Sequence, residues 1–159
     1  LTPKSLLRLP AARSAPSSFT ADKFQEVIVD GAPGNHITKL LVASGRVLYD
    51  LLAEREKRSA DDVLILRLEQ LYPFPRAEIQ SVLAQLPTSC DVRWIQDEPR
   101  NMGAWSYLRD RDGGFLGGGR RVRFIGRAWS ARPARGSEAG HEAEQDHLIH
   151  RAFADDDGN

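Results

Sequence analysis

The chain has a single cysteine and a single methionine, and no surplus of either charge: 22 Lys+Arg stand against 22 Asp+Glu in 159 residues. Each shortage removes a class of protein. Cys90 alone cannot close an intramolecular disulfide, which excludes a disulfide-stapled scaffold and fits a reducing compartment. No apolar run approaches the roughly 18 residues that a membrane-spanning helix needs. Overall neutrality argues against a nucleic-acid-coating protein. Catalytic signatures are also missing: there is no phosphate-binding Gly-x-x-x-x-Gly-Lys-Ser/Thr loop, no Gly-x-Gly-x-x-Gly turn and no Gly-x-Ser-x-Gly elbow. His141, His147 and His150 miss the His-Glu-x-x-His spacing that sets two zinc ligands on one helix face. The sequence therefore predicts neither a catalytic residue nor a metal ligand.

What is present is an alternation of short apolar runs with segments of helical period, the mark of a layered α/β domain. Strands are expected at 24–29, 40–43, 63–66, 92–95 and 122–125. Between them, Val47, Leu48, Leu51 and Leu52 share one face of a helix from about Arg46 to Arg58, opposite Asp50, Glu54 and Arg58. Ile79, Val82, Leu83 and Leu86 mark a second helix that Pro75 starts and Pro87 stops. A third is expected after Pro99 with Asn101 as its N-cap, carrying Met102, Trp105 and Leu108 to the core, and a closing helix carries Leu148, Ile149, Ala152 and Phe153. Strands joined through helices require a largely parallel sheet covered on both faces.

Residues 1–22 read as a connector from a missing upstream domain, 23–154 as the domain itself, and 155–159 as an acidic, disordered tail. The leading segment has transit-peptide composition, but Pro3, Pro10 and Pro16 break any long amphipathic helix there. The missing initiator Met is expected of a piece of something longer.

In such a sheet, ligands collect at the carboxyl ends of strands, where helix N-termini offer unpaired N–H groups to anions. Ser44-Gly45-Arg46, Arg67 within the run to Pro75, and Gln96 within the run to Trp105 all fall there. Each also fits an ordinary structural role, as a helix cap, an edge ion pair or a dipole partner. From Gly113 to Ser137 six arginines (120, 121, 123, 127, 132, 135) meet no acid, a local positive field able to hold phosphate.

Leu1–Arg8, Ser44–Leu51, Arg67–Pro75, Gln96–Trp105, and Gly126-Arg127 with Ser130-Ala131 and Pro133-Ala134 resemble, in order, motifs of one family: the carboxyl-terminal domain of the thiamin-dependent decarboxylating subunit of 2-oxoglutarate dehydrogenase. His141 and Gln145 keep the order of its terminal helix. The resemblance implies a transketolase C-terminal-like, three-layer α/β/α fold with a five-stranded, mostly parallel mixed sheet whose first strand runs antiparallel. It implies that thiamin diphosphate and magnesium belong to preceding domains of the full-length enzyme, so this chain binds neither alone. The implied partners are those upstream domains, a second copy in a homodimer and, through the full complex, dihydrolipoyl succinyltransferase; neither nucleic acid nor membrane is among them. The implied compartment is the bacterial cytoplasm, or the mitochondrial matrix of a eukaryote. In some actinobacterial relatives the domain binds acetyl-coenzyme A as an activator, which makes Ser44, Gly45, Arg46, Arg67, Gln96 and Arg127 a candidate acyl-CoA or adenine-nucleotide site. A regulatory nucleotide-binding module and a free-standing flavodoxin-like or polyanion-binding protein stand as alternatives. Trp129, Arg132 and the glycine-rich stretch from Gly113 to Gly119 depart from the family pattern.

Overall fold

The computed structural model describes residues 4–20, 23–111, 120–132 and 138–155. Five strands form one sheet in the order β1-β3-β2-β4-β5: β1 Val27–Asp30, β2 Lys39–Ala43, β3 Val63–Leu68, β4 Asp91–Pro99 and β5 Val122–Arg127. β1 pairs antiparallel with β3, and all other pairs are parallel. Among the described residues four helices cover it: α1 Val47–Arg58, α2 Arg76–Leu83, α3 Trp105–Arg109 and α4 Glu138–Phe153. The expected three-layer α/β/α architecture with its single antiparallel edge strand is therefore what the chain adopts. The reason is visible in β2, whose five residues are all buried: a strand covered on both faces reads as a continuous apolar run.

Strand alternation divides the core in two. Leu40, Val42, Leu64, Leu66, Val92 and Trp94 face α2 and α3. Leu41, Ala43, Val63, Ile65, Ile95 and Ile125 face α1 and α4, meeting Val47, Leu48, Leu51, Leu148, Ile149, Ala152 and Phe153.

Several element boundaries differ from expectation. β1 begins at Val27, not Phe24; its pairing runs from Val27↔Leu68 to Asp30↔Ile65, so Phe24 has passed the end of β3 and is 67% exposed. α2 ends at Leu83, before Pro87, and Arg120 donates to the carbonyls of Leu83, Leu86 and Pro87, satisfying the loose end. β4 continues through Pro99, beyond the expected end at Ile95, and α3 starts only at Trp105. Asn101 is not its N-cap: its side chain exchanges hydrogen bonds with the backbone of Ser130. Residues 4–19 carry three short 3-10 turns. The stretch from Gly113 to Gly119, Arg135 and residues 156–159 lie outside the described residues.

Candidate functional site

The carboxyl edge of the sheet carries a band of paired charges that grows directly from strand parity. Arg67 continues the Val63-Ile65 face of β3, and Arg127 the Ile125 face of β5, so both emerge on the α1/α4 side. Arg46 sits at the entrance of α1, where Gly45 adopts φ +79° and a Cβ would meet nothing within 4 Å. Left-handed backbone there lets β2 turn into the helix without strain.

Each arginine already has an acid. Arg46 faces Asp50 at 3.4 Å and Asp97 at 3.6 Å. Arg67 lies between Asp30 at 3.9 Å and Glu69 at 3.4 Å, with its guanidinium 5.8 Å from the centre of the Tyr49 ring. Arg127 meets His141 Nδ1 at 2.8 Å and Glu144 at 3.5 Å. Gln145 donates to Asp50 at 2.8 Å, so α4 and α1 are joined through the same network. A groove of about 670 Å³ runs between these two helices, lined by Arg46, Asp50, His141 and Gln145 among others. On its wall Glu54 accepts a hydrogen bond from Arg58, which holds its carboxyl below the usual range; burial opposes this, and the Arg58 and Lys57 charges reinforce it.

Gln96 is separated from this band. It follows Trp94 on the opposite face, is 2% exposed, and accepts from Trp94 Nε1 at 2.8 Å and from the Trp105 backbone N–H at 3.2 Å. Its amide donates to the carbonyl of Met102 at 2.8 Å and lies within reach of those of Glu98 and Pro99. Beyond Gln96 the register shifts: β4 spends four residues and β5 two between the pairs Ile95↔Ile125 and Pro99↔Arg127, a bulge. Gly126 permits it: a Cβ there would stand 2.4 Å from the Phe124 ring and 3.2 Å from the Gln96 carbonyl. The structure thus gathers Arg46 and Arg127 around the α1/α4 groove, sets Arg67 on the β1 side, and assigns Gln96 to the interior.

The opposite, amino edge holds a residue that sequence reasoning passed over. Arg93 lies inside the apolar run Val92-Arg93-Trp94-Ile95, is 1% exposed, and donates from Nη1 to the carbonyls of Arg151, Ala152 and Ala154 at 2.8–2.9 Å. Its remaining donors engage Asp91 at 2.6 and 2.7 Å. The guanidinium therefore caps the carboxyl end of α4 from within the sheet, where a cation opposes the negative end of the helix dipole. A lone arginine in a buried strand was the available signal, since such a charge must find partners.

The 2-oxoglutarate dehydrogenase C-terminal family model matches residues 13–153. The chain belongs to the 2-oxoglutarate dehydrogenase C-terminal family. It is 38% identical over 156 residues to the 2-oxoglutarate dehydrogenase E1 component of Cupriavidus necator, covering 97% of this chain and 16% of that protein. It is 35% identical over 161 residues to the E1 component of an Exiguobacterium species, covering 98% and 17%. The chain thus spans about one sixth of the length of these curated relatives. A solved structure described as a split-gene transketolase, an inactive β4 tetramer, superposes with a TM-score of 0.53 at 11% identity over 83% of this chain and 42% of that one. That likeness bears on fold alone. Among the described residues no group of three or more His, Cys, Asp or Glu side chains stands together as a metal site. No described helix is long and apolar enough to cross a membrane.

Proposed function

We infer that this chain is the carboxyl-terminal, non-catalytic domain of a thiamin-dependent E1 subunit that oxidatively decarboxylates 2-oxoglutarate in the tricarboxylic acid cycle. The observation that carries the reading is the family match across residues 13–153, together with 38% identity to an E1 component over nearly the whole chain. In this reading residues 1–22 connect to the upstream domains, residues 23–154 are the folded unit, and 155–159 are the tail. Thiamin diphosphate and magnesium are held by those upstream domains, and the subunit works as a homodimer that passes its acyl product to dihydrolipoyl succinyltransferase. The compartment is the bacterial cytoplasm.

What these residues contribute is shape. The two-faced core gives a rigid slab, and the paired charges along its carboxyl edge keep α1 and α4 in fixed relation to the strand ends. The deciding experiment replaces the matching segment of the Cupriavidus necator E1 component with this chain and measures 2-oxoglutarate decarboxylation with thiamin diphosphate and magnesium. Activity is expected from the chimera and none from the chain alone. Turnover by the isolated chain, or a folded but inactive chimera, refutes the reading.

A second reading rests on the open space beside Gly45 at the α1 N-terminus: Ser44, Gly45 and Arg46, with Arg67, Gln96 and Arg127, bind an acyl-CoA or adenine nucleotide. The ion pairs of Arg46 and Arg127 would then have to open, and Gln96 would have to leave the interior. Calorimetry with acetyl-CoA and AMP tests it, and an absence of heat at millimolar ligand discards it.

A further inference from the structure

A cleft of about 570 Å³ opens at the amino edge of the sheet, between the starts of β2, β4 and β5 and the end of α4. Helix carboxyl ends are hostile to anions, and α2 and α4 both end here. Arg120 and Arg93 answer those ends by donating to their terminal carbonyls. The three acids in the wall are also engaged: Asp91 with Arg93 and Arg123, Asp62 with the Thr38 hydroxyl, and Asp155 with Lys39.

Two cations are left with donors to spare. The Lys39 side chain is only 11% exposed, and its ammonium has Asp155 as its one partner among the described residues, at 2.5 Å. An ammonium carries three donors, and Asp155 takes one of them. Arg121 is exposed and has no partner among the described residues. The hydroxyls of Thr88 and Ser89 line the same wall. Asp155, by contrast, is 89% exposed and holds its place through one contact. The Lys39 hydrogen bond, then the Lys39 charge, pull its carboxyl below the ordinary aspartate range against the effect of burial, and Arg93 adds to this.

We propose that this cleft binds a small phosphate-bearing anion between Lys39 and Arg121, with the Asp155 carboxylate as its built-in competitor. A carboxylate on Lys39 shows the kind of group the position accepts, and a phosphoryl group offers more charge and a third acceptor oxygen, enough to bridge lysine, guanidinium and hydroxyls together. The site goes beyond the family reading, lies on the opposite edge from the acyl-CoA candidate, and stands or falls separately from both.

Titration of the isotope-labelled full chain with inorganic pyrophosphate at low salt, followed by amide chemical shifts, tests it. Saturable shifts are expected at residues 88–90 and 120–123, weakening as salt is raised. Arg121→Gln and Lys39→Gln are each expected to loosen binding about threefold to tenfold, the loss of one charged contact. Asp155→Asn is expected to tighten it about twofold to fivefold by removing an exposed competing pair. Arg121 is exposed, so its variant keeps the fold and the test remains decisive if Lys39→Gln disturbs packing. No saturation at millimolar pyrophosphate, shifts centred on residues 44–46 and 127, unchanged affinity in Arg121→Gln, or unchanged or weaker affinity in Asp155→Asn overturns the proposal.

Discussion

Replacing Arg93 with methionine keeps most of the apolar stem and removes the guanidinium that ties α4 to the sheet. Three carbonyls, those of Arg151, Ala152 and Ala154, then lose a charged donor at 2.8–2.9 Å in a place shielded from water. Hydrogen bonds to charged groups contribute roughly 1.5–3 kcal/mol each, but the three share one nitrogen and do not add. Asp91 is not stranded, because Arg123 remains 3.5 Å away. Breaking a buried charged contact by removing one partner costs about 3–5 kcal/mol, and that is the loss expected here. Against a total of roughly 5–15 kcal/mol it is a large fraction, equivalent to a fall in Tm of about 10–15 °C for a domain of this size. Urea unfolding followed by tryptophan fluorescence gives the free energy, and hydrogen exchange locates it: amides near the end of α4 should lose protection before those of β2 and β3. Arg93→Lys, which retains a charge but not the fork, should fall between the two. If Arg93→Met unfolds within about 1 kcal/mol of the parent, the claim that this arginine fastens α4 is wrong.

Other substitutions probe the bulge and the edges. Gly126→Ala drives a methyl into the Phe124 ring and the Gln96 carbonyl and should cost about 1–3 kcal/mol in urea unfolding, with an altered near-ultraviolet signal from the Trp105–Phe124 pair. Gln96→Leu strands the Trp105 N–H and the Met102 carbonyl and should cost roughly 2–4 kcal/mol; a neutral result would mean that water replaces the amide. Because the folded Asp155 carboxyl is depressed, its stabilising contact is fully present above the ordinary aspartate range and fades as pH falls through the lower folded value. Carboxyl carbon NMR should show that depressed titration, and Lys39→Gln should return it to the ordinary range. Burial pushes the Cys90 thiol up, with Arg120 opposing and Asp91 reinforcing, so thiol reagents should label it only as fast as the domain opens; rapid labelling of the native chain would contradict its 7% exposure.

Apolar patterning made the fold legible. Leu40 to Ala43 and Val63 to Leu66 could only be buried strands, and the period of Val47, Leu48 and Leu51 could only be a covered helix face. The candidate site was legible in part. Arg46, Arg67 and Arg127 do stand at strand ends, with Asp50 and Glu69 as local partners, but Asp97, Asp30 and Glu144 come from elements far apart in the chain. The entry to α3 was misplaced because Pro99 looks like a helix start, whereas its strand pairing with Arg127 keeps β4 extended.

The sequence by itself determined which residues are buried and therefore the layers, the parallel sheet and the family, since burial patterns and long ordered motifs are local properties of the chain. Tertiary structure alone decided the charges. Whether an arginine is a free anion site or a fastener depends on what lies within 3–4 Å: Asp97, on the face of β4 opposite Gln96, meets Arg46 at 3.6 Å, while Gln96 finds its partners in the interior.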